Sequence, residues 1–140
     1  MAANRYQDLR AWQRAIELAE RVYEVTSTLP QAEMYGLRSQ MRRCAVSVPS
    51  NIAEGEGRAT RGEFQQFLGH ARSSLYELET QTVIAARLRR TSRSRRFAGR
   101  IERTGPHAQR ADRVAEVIGR SVVKLTTDNG QLLWQRTSDT

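Results

Sequence analysis

Two histidines, His70 and His107, and one cysteine, Cys44, are the strongest candidates for metal or nucleophilic chemistry in this 140-residue chain. Their spacing assembles no site. A di-iron helical bundle needs Glu-x-x-His on two helices, whereas the residue three before His70 is Phe67. Glu77 and Glu79 are two apart, which turns them to different faces of a helix. Cys44 follows Arg42 and Arg43, cations that would depress a thiol pKa if they lay against it. It also falls on an apolar stripe, where cysteine acts as a small buried hydrophobe, and that is the preferred reading. A lone cysteine forms no intrachain disulfide. No catalytic residue, cofactor or metal is expected, and the chain reads as non-enzymatic.

Phosphate binding is the other chemistry in view. The loop GEGRATRG carries Arg58 and Arg61 just before a helix start, where free amides attract anions. It lacks the Gly-Lys-Ser/Thr of a nucleotide loop and follows a helix instead of a strand. A contact of Arg58 and Arg61 with a phosphate backbone stays open. Further on, Arg89, Arg90, Arg93, Arg95, Arg96, Arg100 and Arg103 form a run that any polyanion would attract, with salt-sensitive affinity. Phe97 is the one aromatic residue inside it, so no row of base-stacking rings is present. The run reads equally well as a solvated, mobile basic linker.

The net charge of +8 is regional. Residues 1–88 carry 11 basic and 10 acidic side chains, whereas residues 89–124 carry 11 basic and 3 acidic ones. Of the 23 basic residues all but Lys124 are arginine, which favours bidentate phosphate recognition but also follows from GC-rich coding. The opening MAANRYQDLRAWQ has no apolar run of the secretory kind, and no stretch approaches the roughly 18 apolar residues of a membrane span. A cytoplasmic protein without a membrane partner is expected.

These residues must be positioned by helices. Leu9, Trp12, Ile16, Ala19 and Tyr23 step by three and four, predicting a helix over about 8–28 that Asp8 caps and Pro30 ends. Leu37, Met41, Cys44 or Ala45, Val48 and Ile52 predict a second over about 33–54, kinked but unbroken at Pro49. Gly55 and Gly57 supply positive-φ positions after it. Thr60 and Glu63 have capping-box spacing before a third helix over about 61–88. A weaker stripe predicts a fourth over about 107–125, followed by an extension, 126–140. The fold class is therefore all-α, an antiparallel up-down four-helix bundle spanning 1–125.

The stretch RRCAVSVPSNIAEGEGR, from Arg42 to Arg58, resembles the signature of the four-helix-bundle proteins encoded within intervening sequences of bacterial large-subunit ribosomal RNA genes. FLGHARSSLYELETQ, from Phe67 to Gln81, resembles that family's companion motif. Arg42, Arg43, Ser47, Pro49, Asn51, Glu54 and Gly55 match the first, with Cys44 where alanine is usual; Ser74, Leu75, Glu77, Leu78 and Glu79 match the second. The similarity covers about residues 6–88 and departs at Leu88, where an arginine- and serine-rich string replaces the family's short turn.

The resemblance implies a homopentamer without enzymatic activity. It also implies kinship with the accessory proteins of diversity-generating retroelements, basic pentamers that bind nucleic acid and partner a reverse transcriptase. Residue chemistry adds a structural account of the motif: Ser47, Asn51 and Ser74 would serve carbonyls freed at Pro49, and Arg42 or Arg43 would pair with Glu77 or Glu79. The expected function is a homo-oligomeric scaffold that binds RNA or DNA through basic surface. The alternative is a protein-binding adaptor with no nucleic-acid role.

Overall fold

A computed structural model describes the backbone of residues 6–29 and 31–97 and the side chains of residues 6–29 and 36–91. All regular structure among them is helical: a short 3-10 turn at Tyr6–Asp8, then α1 (Arg10–Ser27), α2 (Gln31–Glu56) and α3 (Arg61–Phe97). The all-α class stands. The fourth helix expected at 107–125 and the extension 126–140 lie outside the described residues.

Helix α1 starts differently from expectation. Asp8 belongs to the preceding turn, and Leu9 takes the N-cap position with extended backbone and no side-chain cap. Burial fixes the entry instead: Leu9 is 3% exposed, and Tyr6 meets Trp12 edge-on at 5.4 Å. At the other end the Thr28 and Leu29 amides turn back to Val25 and Thr26, before Pro30, which cannot continue the ladder.

Helix α2 runs through Pro49 without a break. The proline withholds a donor from the Ala45 carbonyl, but Met41, Ala45, Val48 and Ile52 are all fully buried on one stripe. Burying a side chain such as Ile52 is worth about 1.5–3 kcal/mol, which offsets the lost bond. The polar side chains nearby serve neighbouring carbonyls: Ser50 donates to Val46 at 2.8 Å and Asn51 to Ser47 at 2.8 Å. The carbonyls they serve, Val46 and Ser47, lie one and two residues beyond the one freed at Pro49.

Helix α3 opens with the capping box its sequence announces. The Glu63 amide donates to Thr60 Oγ1 and the Thr60 amide to Glu63 Oε2, each at 3.2 Å. It then continues to Phe97, well past the expected end at Leu88. The basic string read as a loose linker is thus helical as far as Phe97. Arginine is a good helix former, and serine and threonine cost no more than about 0.7 kcal/mol each relative to alanine. Extending an existing helix avoids the nucleation penalty.

α2 is the central element. It packs against α1 on one side and α3 on the other, while α1 and α3 do not approach each other at backbone-contact distance. Both pairings are antiparallel: Arg42 reaches back to Thr26 on α1, and Ser47 and Cys44 meet Ser74 and Gln81 on α3. One core joins all three helices, with Leu18 and Val22 from α1, Met41 and Val48 from α2, and Leu75 and Leu78 from α3.

Candidate functional site

The two motifs meet along the seam between α2 and α3. Ser47 Oγ and Ser74 Oγ are 3.0 Å apart, and Asn51 Nδ2 donates to Ser47 Oγ at 2.9 Å as well as to the Ser47 carbonyl. Asn51 stands one turn after Ser47, so both face α3. Three small polar side chains thereby satisfy one another across a half-buried interface.

An open groove of about 300 Å3 lies over this seam, lined by Gln40, Arg43, Cys44, Ser47, Ser74 and Glu77. Gln81 lies beneath it, buried at 5% exposure, and donates from Nε2 to Glu77 Oε1 at 3.1 Å and to Cys44 Sγ at 3.6 Å. Burial pushes the Cys44 thiol above its ordinary value, and the Glu77 carboxylate raises it further. Gln81 and Arg43 pull the other way without overcoming this. Cys44 is protonated at neutral pH and suits packing better than nucleophilic attack.

The expected pairing of Arg42 or Arg43 with Glu77 or Glu79 does not form. Arg42 turns to α1, where Nε donates to Thr26 Oγ1 at 2.8 Å and the guanidinium lies 4.6 Å over the Tyr23 ring. Arg42 lies two residues before Cys44, so helical twist carries it to the other flank of α2. Arg43 stays at the lip of the groove with Glu77, and Glu79 is exposed away from it.

Gly55 has a different role from the one expected. It lies inside α2, and neither Gly55 nor Gly57 has a positive φ. A Cβ on Gly55 would lie 2.8 Å from Phe67 Cβ and 3.1 Å from Phe64 Cδ2. The missing side chain lets the end of α2 press against the start of α3. Glu54 pairs with Arg58 one turn on, and the Arg58 guanidinium also lies 4.7 Å from the Phe67 ring centroid. Arg61 is exposed. The Glu63 carboxylate already caps α3, so this helix start is electrostatically less open to phosphate than the loop sequence implied.

The arginine run stands apart from the groove. Arg90 is exposed and Arg89 half-buried, while Arg93, Arg95 and Arg96 fall on the backbone of α3. Carrying the Ser47–Ser74 and Cys44–Gln81 registers along the seam sets Gln31, where α2 begins, roughly level with residues 90–94. The last turn of α3 therefore runs past the start of α2.

Sequence reasoning missed Gln81 and Thr26. Gln81 follows Glu77 by one turn on the α2-facing side, a signal that was available. Thr26 continues the Ala15–Leu18–Val22 stripe and is fully buried, its hydroxyl donating to the Val22 carbonyl at 2.6 Å.

Among the described residues no group of three or more His, Cys, Asp and Glu side chains could hold a metal ion. None of the described helices is long and apolar enough to cross a membrane. The architecture is that of an all-helical packing protein whose signature residues join two helices. The profile of the 23S rRNA-intervening sequence protein family matches residues 7–103, and the chain belongs to that family. A search of curated proteins gives no match.

Proposed function

We propose that the chain is a non-enzymatic, homo-oligomeric helical scaffold that binds RNA or DNA through its basic surface. The observation that carries this reading is the length of α3, roughly 55 Å, which puts an exposed apolar stretch and the start of the arginine run on one helix. Midway along it, Tyr76, Val83, Ile84 and Leu88 are exposed apolar side chains outside the core. Exposed apolar surface of this kind favours association. At the far end the arginine positions from 89 to 96 lie along the helix backbone.

A fourth helix over residues 107–125 completes the bundle in this proposal. The number of copies, five, comes from the family resemblance alone. The protein acts in the cytoplasm. Repetition of a weak phosphate contact around a symmetric assembly multiplies its effect.

The test combines light scattering with binding to unrelated RNA and DNA across a salt series. The reading expects a mass of several subunits and an affinity that falls steeply with salt, with little sequence preference. An assembly that ignores nucleic acid at low salt supports the protein-binding adaptor instead. A stable monomer removes the scaffold.

A further inference from the structure

The end of α3 differs in kind from the rest of the helix. Between Leu88 and Phe97 the sequence RRTSRSRR holds no apolar residue, and no acidic residue occurs between Glu79 and Glu102. The backbone is nonetheless helical to Phe97. The buried stripe Ala71–Leu75–Leu78–Thr82–Ala85 continues by register into the Arg89, Arg93 and Arg96 positions. Arg87, Arg90 and Arg95 hold other positions around the same turns. A helix without an apolar side adds nothing to a core, so these turns suit solvent or a charged partner.

The fold supplies few opposite charges beside them. Thr26, near the end of α1, bonds Arg42, which stands level with about residues 79–83 of α3, so α1 has ended before the run begins. The stretch of α2 level with the run, 31–38, has two charged positions of opposite sign, Glu33 and Arg38. Arg89 is half-buried and engaged within the fold. The Arg87, Arg90, Arg93, Arg95 and Arg96 positions then stand along about 13.5 Å of helix axis. Duplex nucleic acid carries one negative charge per about 1.7 Å, a density that such a run can match along one side.

The other basic candidate does not compare. Arg58 and Arg61 stand among Glu54, Glu56 and Glu63, so carboxylates outnumber arginines around that loop. Arg58 is paired with Glu54, and Glu63 caps α3.

Composition also sets what the run can read. Besides arginine it holds only threonine and serine, with no ring for stacking and no Asn or Gln for a bidentate contact with adenine. Arg87 and Arg90, Arg90 and Arg93, and Arg93 and Arg96 are each about one turn apart. Like charges so spaced disfavour a helix, and phosphates beside them would relieve the repulsion.

We infer that the end of α3, from Arg87 to Arg96, is the nucleic-acid contact of this chain, that it holds the phosphate backbone without reading sequence, and that the bound backbone firms the helix. This rests on the nucleic-acid reading above and selects the site for it.

The test titrates the full chain against DNA and RNA duplexes, each in two scrambled sequences, across a salt series. The slope of log affinity against log salt should be about −4, and scrambling should change affinity less than about threefold. Arg90→Gln, Arg93→Gln, Arg95→Gln and Arg96→Gln together should weaken binding at least about a hundredfold at about 0.1 M salt and flatten the slope by about 3. Circular dichroism confirms the fold of that variant. Arg58→Gln with Arg61→Gln should change affinity less than about threefold. Hydrogen exchange on the unsubstituted chain locates the contact independently: a bound duplex should slow the amides of 89–97 at least about tenfold. Failure of the wild type to bind either duplex at low salt would overturn the inference together with the nucleic-acid reading. Binding that survives the four substitutions, that follows Arg58 and Arg61, that depends strongly on sequence, or that leaves exchange at 89–97 unchanged would overturn the inference alone.

Discussion

Ser47 on α2 and Ser74 on α3 share a hydrogen bond of 3.0 Å, and through it the two sequence motifs of the family become one interface. Each hydroxyl is half-buried, and Asn51 also donates to the Ser47 oxygen. Replacing Ser47 by alanine should cost about 1 kcal/mol of stability, the usual net worth of such a bond. A double-mutant cycle with Ser74→Ala, read by urea denaturation, should return a coupling of roughly 0.5–1.5 kcal/mol. Strict additivity would show that the hydroxyls do not act as a pair.

Asn51 contributes through its amide nitrogen, which reaches both the carbonyl and the hydroxyl of Ser47. Leucine is nearly the same size but donates nothing. Asn51→Leu should destabilise the fold by about 1–3 kcal/mol, because Ser47 loses a donor in a half-buried place. Thermal melts of the two proteins side by side measure it, and an unchanged midpoint would contradict the role.

Gly55→Ala sets two effects against each other. Alanine inside a helix normally gains about 1 kcal/mol over glycine. Here the new Cβ would lie 2.8 Å from Phe67 Cβ, an atom next to the backbone that cannot swing aside. Overpacking of that sort costs about 1–3 kcal/mol, so the net change should be destabilising. Denaturant midpoints decide the sign. A more stable Gly55→Ala variant would mean that α2 and α3 separate freely at this end.

The raised pKa of Cys44 predicts a pH effect with a definite sign. The thiol is held neutral in the folded protein beyond its ordinary value of 9.0, so the unfolded chain loses this proton first as pH rises. The stabilisation is complete below that value and drains away as pH climbs through the folded pKa. Cys44→Ala should therefore lose less stability than wild type when both are measured from pH 8 upward. The same neutrality predicts slow alkylation of native Cys44 at pH 7, followed by mass spectrometry, against rapid alkylation in denaturant.

The sequence by itself determined the three helical stripes, the capping box at Thr60 and Glu63, passage of α2 through Pro49, and the burial of Cys44. These follow from spacing: periodicity near 3.6 residues selects which side chains share a face, whatever that face meets. Family membership was legible for the same reason, in motifs that keep one order along the chain. Only the tertiary structure decided the partners. Arg42 had glutamates of the right charge to pair with on α3, yet it lies on the flank of α2 that meets α1, and it bonds Thr26 and stacks on Tyr23 instead. Gly55 resembled a turn residue until Phe67 stood opposite it, because close approach is a property of two helices and appears in neither one's sequence. The arginine string looked like a linker by composition, and α3 carries it as helix because elongation from a formed helix asks little of each added residue.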